Sequence, residues 1–162
     1  MASTMSTTHL PPLGAHERQE IGRELQATLV ELVDLSLVGK QLHWSVVGPI
    51  FRPLHQQLDE LVDAWRDLGD TVAERAVAIG FSPDGQAEAV AAASELAGVK
   101  AGAIEGNAVV RELARRLAET SERIRGRMER LAALDAASED VLIEVVRALE
   151  QQLWMVRAQL QE

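Results

Sequence analysis

The chain of 162 residues contains no cysteine and no tyrosine. Without thiols it has no disulfide, no thiolate metal site and no thiol nucleophile. Aromatic residues make up only 3% of it, which argues against a β-rich fold. No apolar run approaches the ~18 residues that a membrane span requires. The opening stretch, MASTMSTTHLPPLGAHER, lacks a basic segment followed by an apolar one, so no secretory signal is expected and the cytoplasm is the default location. Basic residues are also in deficit, with 16 Lys and Arg against 25 Asp and Glu. The net charge of −9 opposes a body surface that attracts nucleic-acid phosphates.

What is present is the material of helices. Apolar residues make up 47% of the chain and charged residues 25%, as in a soluble globular protein of one domain. Residues 1–16 are rich in Ser and Thr and then in Pro, and read as a mobile arm. From residue 17 to 162 the pattern predicts an all-α fold. Ile21, Leu25, Leu29, Leu32, Val33 and Leu37 recur at spacings of three and four, giving a first helix over about 17–46 that breaks at Gly48-Pro49. A second helix starts near Pro53 and runs to about Gly80, where SPDG (82–85) reads as a turn. Residues 86–100 suggest a short helix in a crossover. A third long helix is expected over about 101–133, and a fourth over 139–160 with Ser138 as N-cap. The long crossover favours a ferritin-like four-helix bundle with a short extra helix between its second and third members.

The second helix poses a puzzle. At about 100° per residue, Leu54, Leu58, Leu61, Val62, Trp65, Leu68 and Val72 share one arc, the core stripe. His55, Asp59, Asp70 and Glu74 share a flank of it. Asp59 and Asp70 are nevertheless about 16.5 Å apart along the axis, too far for one ion to bridge within a chain. The pairs 55/74 and 59/70 share the midpoint 64.5 and the same mean direction. A two-fold axis there would lay a second copy of the helix antiparallel and set His55 and Asp59 of one chain against Asp70 and Glu74 of the other. Asp63 and Arg66 obey the same symmetry, which predicts a reciprocal salt bridge across the axis. With His43 at the end of the first helix, two His, two Asp and one Glu form a mixed set suited to non-haem iron or manganese.

The sequence resembles the Dps family, the miniature ferritins. The resemblance is carried by Lys40, His43, Trp44, Val46, Gly48, Phe51, Leu54, His55, Asp59 and Glu60, then by Asp70, Ala73, Glu74, Arg75 and Gly80. A later segment, Glu150, Trp154, Met155, Arg157 and Ala158, adds to it. It implies hollow homo-dodecamers built from two-fold dimers. These would oxidise Fe(II), preferably with hydrogen peroxide and otherwise with O2, store the ferric mineral and protect against oxidative stress. It further implies an iron centre of His43, His55, Asp59, Asp70 and Glu74. His43, Asp70 and Glu74 would come from one subunit, His55 and Asp59 from its partner, and Glu74 would bridge two irons. Trp44 would stand beside the centre as a radical-intercepting aromatic, its alternative being core packing. Asp135, Glu139, Asp140 and Glu144 would line an iron-access pore, their alternative being helix-dipole complement.

Larger ferritins use Glu-x-x-His motifs within one bundle, and no such motif occurs here. No HExxH motif or recognisable Ser-His-Asp arrangement is present to favour a hydrolase. The arm before Glu17 carries no Lys or Arg, and the chain closes in QLQE. DNA binding is therefore expected to be weak or absent, with any nucleoid association secondary. His9 and His16 have no assigned role. The competing expectation is a protective or nucleoid-associated shell with a weak, non-catalytic metal site.

Overall fold

A computed structural model describes residues 9–160. The elements run α1 (Ala15–Ser45), β1 (Val46–Val47), α2 (Phe51–Ala78), α3 (Ala87–Ala93), β2 (Ile104–Glu105), α4 (Gly106–Ala132) and α5 (Ala136–Arg157). The four long helices form a bundle in which α1 packs chiefly on α2 and α4 on α5, with α3 in the crossover. This is the all-α, four-helix architecture with one short extra helix that the apolar spacing predicts. Among the described residues, no helix is long and apolar enough to cross a membrane.

One continuous core joins the helices. Ile21, Leu25, Leu32, Leu35 and Leu42 from α1 meet Leu54, Leu58, Trp65 and Val72 from α2 and Leu113, Leu117 and Ile124 from α4. Trp65 is fully buried, and its indole N–H donates to Gln152 of α5 at 2.8 Å, so its one polar atom is satisfied across the bundle. Buried charge is paired as well. Glu31 of α1 accepts from Arg123 at 2.5 Å and from Arg127 at 3.1 and 3.2 Å, tying α1 to α4 from within.

Local chemistry sets the helix ends, and several differ from the sequence expectation. α1 begins at Ala15 rather than Glu17, because the Glu17 carboxylate reaches back to accept the Gly14 N–H at 2.7 Å. Residues 9–14 lie against the bundle. Leu10 rests over Gly80, whose φ of +85° admits no side chain cheaply, and Leu13 packs on the core. The expected arm's first eight residues lie outside the described ones. α4 starts at Gly106, not residue 101, because Val46↔Ile104 and Val47↔Glu105 pair as a short parallel ladder. α5 starts at Ala136 with Asp135 as its cap, its carboxylate accepting the Ser138 N–H at 3.1 Å; Ser138 is thus inside the first turn rather than the cap. Residues 82–85 run without a regular turn, and Gln26 pins them by pairing with both the N–H and the C=O of Asp84.

The close approach of α1 and α2 rests on Gly39. A Cβ there would stand 2.6 Å from the Trp65 ring and 2.7 Å from Val62. A glycine-to-alanine change inside a helix normally stabilises by about 0.5–1 kcal/mol. Gly39→Ala should instead destabilise by about 1–3 kcal/mol through overpacking, read as a lower urea midpoint at unchanged slope.

Candidate metal centre

The centre begins where α1 ends. His43 lies in the last turn of α1 and is 6% exposed; His55 lies in the second turn of α2. Their imidazoles stack with centroids 3.6 Å apart and planes 20° apart. Each Nδ1 lies 2.9 Å from the backbone carbonyl oxygen of the other histidine. A carbonyl can only accept, so each Nδ1 carries the proton and donates. In the neutral rings this leaves Nε2 with the free lone pair, the form that binds metal. The two histidines therefore fix each other's tautomer and orientation while tying the end of α1 to the start of α2.

Asp59 sits one turn beyond His55 on α2, on the same face. His43, His55 and Asp59 each offer a ligand atom within 4.8 Å of the others, a three-ligand cluster drawn from one chain. This corrects the subunit assignment implied by the family resemblance, which put His43 with Asp70 and Glu74 and across an interface from His55. The reason is the ring stack: His43 turns toward the first turns of α2, not toward its middle.

Asp59 also has a partner that sequence reasoning left without a role. Lys40, one turn before His43 on α1, donates from Nζ to Asp59 Oδ1 at 2.5 Å. The same Oδ1 lies 3.4 Å from His43 Nδ1. The Lys40 hydrogen bond, helped by the Lys40 charge, holds the Asp59 carboxyl below its ordinary value against the opposing effect of burial. The signal for Lys40 was its i, i+3 spacing from His43, which places both on one face of α1.

Asp70 and Glu74 stand exposed farther along α2 and join neither the cluster nor any ion pair among the described residues. Asp70 lies at the rim of an open groove of about 360 Å³ between α1 and α2, floored by Leu32 and Trp65 and flanked by Leu37 and Arg66. Leu37 is 56% exposed there. Arg66 and Asp63 approach each other within the chain at 3.8 Å. Trp44 is 69% exposed, so core packing within the protomer does not account for it.

The expected pore residues divide into two sorts. Asp135 is committed within the fold, capping α5 and accepting from Arg75 at 2.6 Å and from the Ser138 hydroxyl at 2.5 Å. Arg75 donates in addition to Ser138 at 2.9 Å, so one guanidinium ties α2 to the start of α5. Asp140 and Glu144 are exposed and Glu139 half-buried on the first turns of α5.

Residues 23–162 match the ferritin-like domain family. Over 165 residues the chain is 32% identical to the "DNA protection during starvation protein" of Mycolicibacterium smegmatis, covering 97% of this chain and 86% of that one. It is 32% identical to "DNA protection during starvation protein 2" of Deinococcus radiodurans over 95% of its own length, spanning 64% of that protein. The structure of Mycobacterium smegmatis Dps in a tetragonal form is similar to it with a TM-score of 0.91 at 32% identity, over 98% of this chain and 96% of that one. The chain belongs to the ferritin-like family, in its Dps branch.

Two outcomes follow from this geometry. Long-range proton–nitrogen correlation spectra should show both His43 and His55 protonated at Nδ1 at neutral pH; an Nε2-protonated ring at either position would break the reciprocal arrangement. Asp135 titrates below its ordinary value because bonds from Ser138 and Arg75 outweigh the raising effect of its burial. A depressed folded value contributes stability that is present above about pH 4 and lost as pH falls through it. Asp135→Asn should therefore cost up to about 1 kcal/mol at pH 7, and the gap to the parent should close in urea unfolding on the acid side.

Proposed function

We propose that the chain is a ferroxidase and iron-storage subunit whose reactive centre is completed by a second copy. The observation that carries this reading is the His43–His55–Asp59 cluster, one ligand from α1 and two from the flank of α2, whose other acids, Asp70 and Glu74, find no ion-pair partner among the described residues. A two-fold axis near the middle of α2 would bring the partner's Asp70 and the partner's Glu74 against that cluster, giving two identical five-ligand centres per dimer. The groove beside Asp70 and the exposed Leu37 support the same face as the one covered.

Imidazole nitrogen and carboxylate oxygen suit Fe(II) and stabilise Fe(III) as charge rises on oxidation. The Nδ1-protonated histidines present Nε2 without rearrangement, and Asp59 is already ionised. Two Fe(II) give one electron each to hydrogen peroxide, whose O–O bond breaks to yield two Fe(III) and two hydroxide ions. Taking both electrons in one centre avoids releasing a hydroxyl radical. Twelve chains would carry −108 in all, which draws Fe(II) inward and repels DNA. Glu139, Asp140 and Glu144 are the acids we assign to an iron-access pore, with Asp135 shaping that helix start. Dodecamer assembly, peroxide preference and a cytoplasmic setting belong to this reading.

The test is anaerobic loading of the protein with Fe(II), addition of peroxide and optical recording of Fe(III). The expected result is fast oxidation at about two Fe(II) per peroxide, lost in a His55→Ala/Asp59→Ala variant that still assembles. Oxidation no faster than in buffer, or a variant equal to the parent, would overturn the proposal.

A further inference from the structure

We propose that Arg147 reaches out of its own chain to pair with the partner subunit's Glu144, so that the outer stripe of α5 is a contact between copies around the iron-access pore. The inference rests on the pore assigned above. It divides the acids of that pore between holding copies together and meeting the ion.

The stripe is the first observation. α5 buries Leu142, Val145, Val146 and Leu149 in the core. Away from them a polar concavity of about 800 Å³ runs along the helix, with Asp140, Ile143, Glu144, Arg147, Ala148 and Gln151 along it. These positions follow the i, i+3, i+4, i+7, i+8, i+11 spacing with which one helix meets another. Among the described residues, however, only α5 lines the concavity. Ile143 is apolar and half-buried but, unlike Ala148 beside it, does not pack on the core.

Charge is the second observation. Glu144 and Arg147 are exposed and stand three residues apart. At that spacing Glu112 and Arg115 pair at 2.7 Å, and Asp63 and Arg66 approach to 3.8 Å. Glu144 and Arg147 make no ion pair with each other or with any other described residue. The other acid three residues from Arg147, Glu150, is closed. Arg125 holds both of its oxygens, at 2.5 and 2.8 Å, and Ser121 donates to it at 3.1 Å. In a chain of net charge −9, Arg147 is thus a cation left without a counter-charge beside an acid left without a cation.

Symmetry joins the two observations. A pore formed by one helix from each of several copies lies on a rotation axis, and every copy presents the same stripe to its neighbour. Such a face must complement itself, which a face built for an unrelated partner need not do. Here the acid and the cation lie about 4.5 Å apart along the helix, within reach of the long arginine stem. Each copy can give its guanidinium to one neighbour and offer its Glu144 to the other. Ile143 and Ala148 flank the pair and supply a small apolar centre. A planar fork on a carboxylate also fixes how closely the helices stand, and with it the width of the opening. Asp140, a turn nearer the start of α5, has no such cation and is left to meet the ion.

The test is a charge exchange in the full chain without iron, read by sedimentation velocity, with thermal melts to show that each variant folds. Arg147→Glu and Glu144→Arg each set like charges together at every such contact. Either should raise the protein concentration needed for half-assembly by about tenfold or more. The double variant Glu144→Arg/Arg147→Glu restores opposite charges and should recover most of that loss, as a direct coupling of the two positions demands. Asp140→Asn should assemble as the parent does. Single variants that fold and assemble like the parent, or a double variant no better than either single one, would overturn the inference and leave the ferroxidase reading standing. An Asp140→Asn protein that dissociates like Arg147→Glu would overturn the division of the acids. A protein that responds to the exchange as expected yet oxidises Fe(II) no faster than buffer would support the contact and overturn the ferroxidase reading alone.

Discussion

The candidate centre depends on how near the end of α1 comes to the start of α2, and that distance is enforced twice. Gly39 lets the helices meet where any side chain would strike Trp65 and Val62. A turn later, His43 and His55 cross-donate to each other's carbonyls and stack. The His43 carbonyl lies among the last four of a helix, which have no intrahelical partner, so the His55 ring satisfies an atom that the helix end leaves open. Metal-ready geometry and helix-end bonding are thus served by the same two hydrogen bonds. The ladder between Val46–Val47 and Ile104–Glu105 holds the intervening connection, and Gly48 at φ +105° lets the chain reverse into α2.

Charge in this protein falls into two populations. One is closed upon itself. Glu31 with Arg123 and Arg127, Asp135 with Arg75, and Glu150 with Arg125 each join elements distant in sequence, and each has its counter-charge within bonding distance. The other is the flank of α2, where Asp70 and Glu74 stand exposed and, among the described residues, unpaired, farther along the helix from Asp59, which a single lysine contact holds. A chain of net charge −9 that had only to fold would gain by neutralising that flank. Its acids are instead left in the open, symmetrically about one point on the helix. That pattern is costly in a monomer and would be useful in a dimer that binds cations, which is why the proposed function is assigned to that face.

Much of the fold was legible because buried apolar side chains recur with the helix period, and Leu25, Leu32, Leu58, Trp65 and Leu117 all face the core as that period demands. Helix ends were less so. Asp135 and Ser138 are both good caps three residues apart, and the choice is made by Arg75, which arrives from α2, 60 residues away from Asp135. The onset of α4 was hidden likewise, since the Ile104–Glu105 pairing depends on where β1 lies. For the centre, periodicity showed which side chains share a face but not which helix they meet. His55 and Asp59 were recoverable from their i, i+4 spacing. The turn of His43 toward its own chain's His55, and the Lys40 contact with Asp59, exist only once α1 and α2 are packed.

The chain's poverty in oxidisable side chains bears on the same centre. A site that reduces peroxide damages the nearest thiol or phenol first, and here there is neither. Two aromatics lie near the cluster: Phe51, whose ring centroid is 4.9 Å from that of His55, and Trp44, next to His43 in the chain, on the side of α1 that turns from the core and left 69% exposed. Its neighbour His43 is 6% exposed: the rotation of about 100° between adjacent helix residues takes the chain from a buried side chain to an exposed one. A ligand is held in the protein and an electron-rich ring is set outside it. Under the proposed function, Trp44 offers an exposed indole to a stray oxidising equivalent, whereas the large aromatic of the interior, Trp65, lies fully buried with its N–H bound to Gln152. On that reading, the residues that must stay intact for the bundle to stand are kept apart from the one that can be spent.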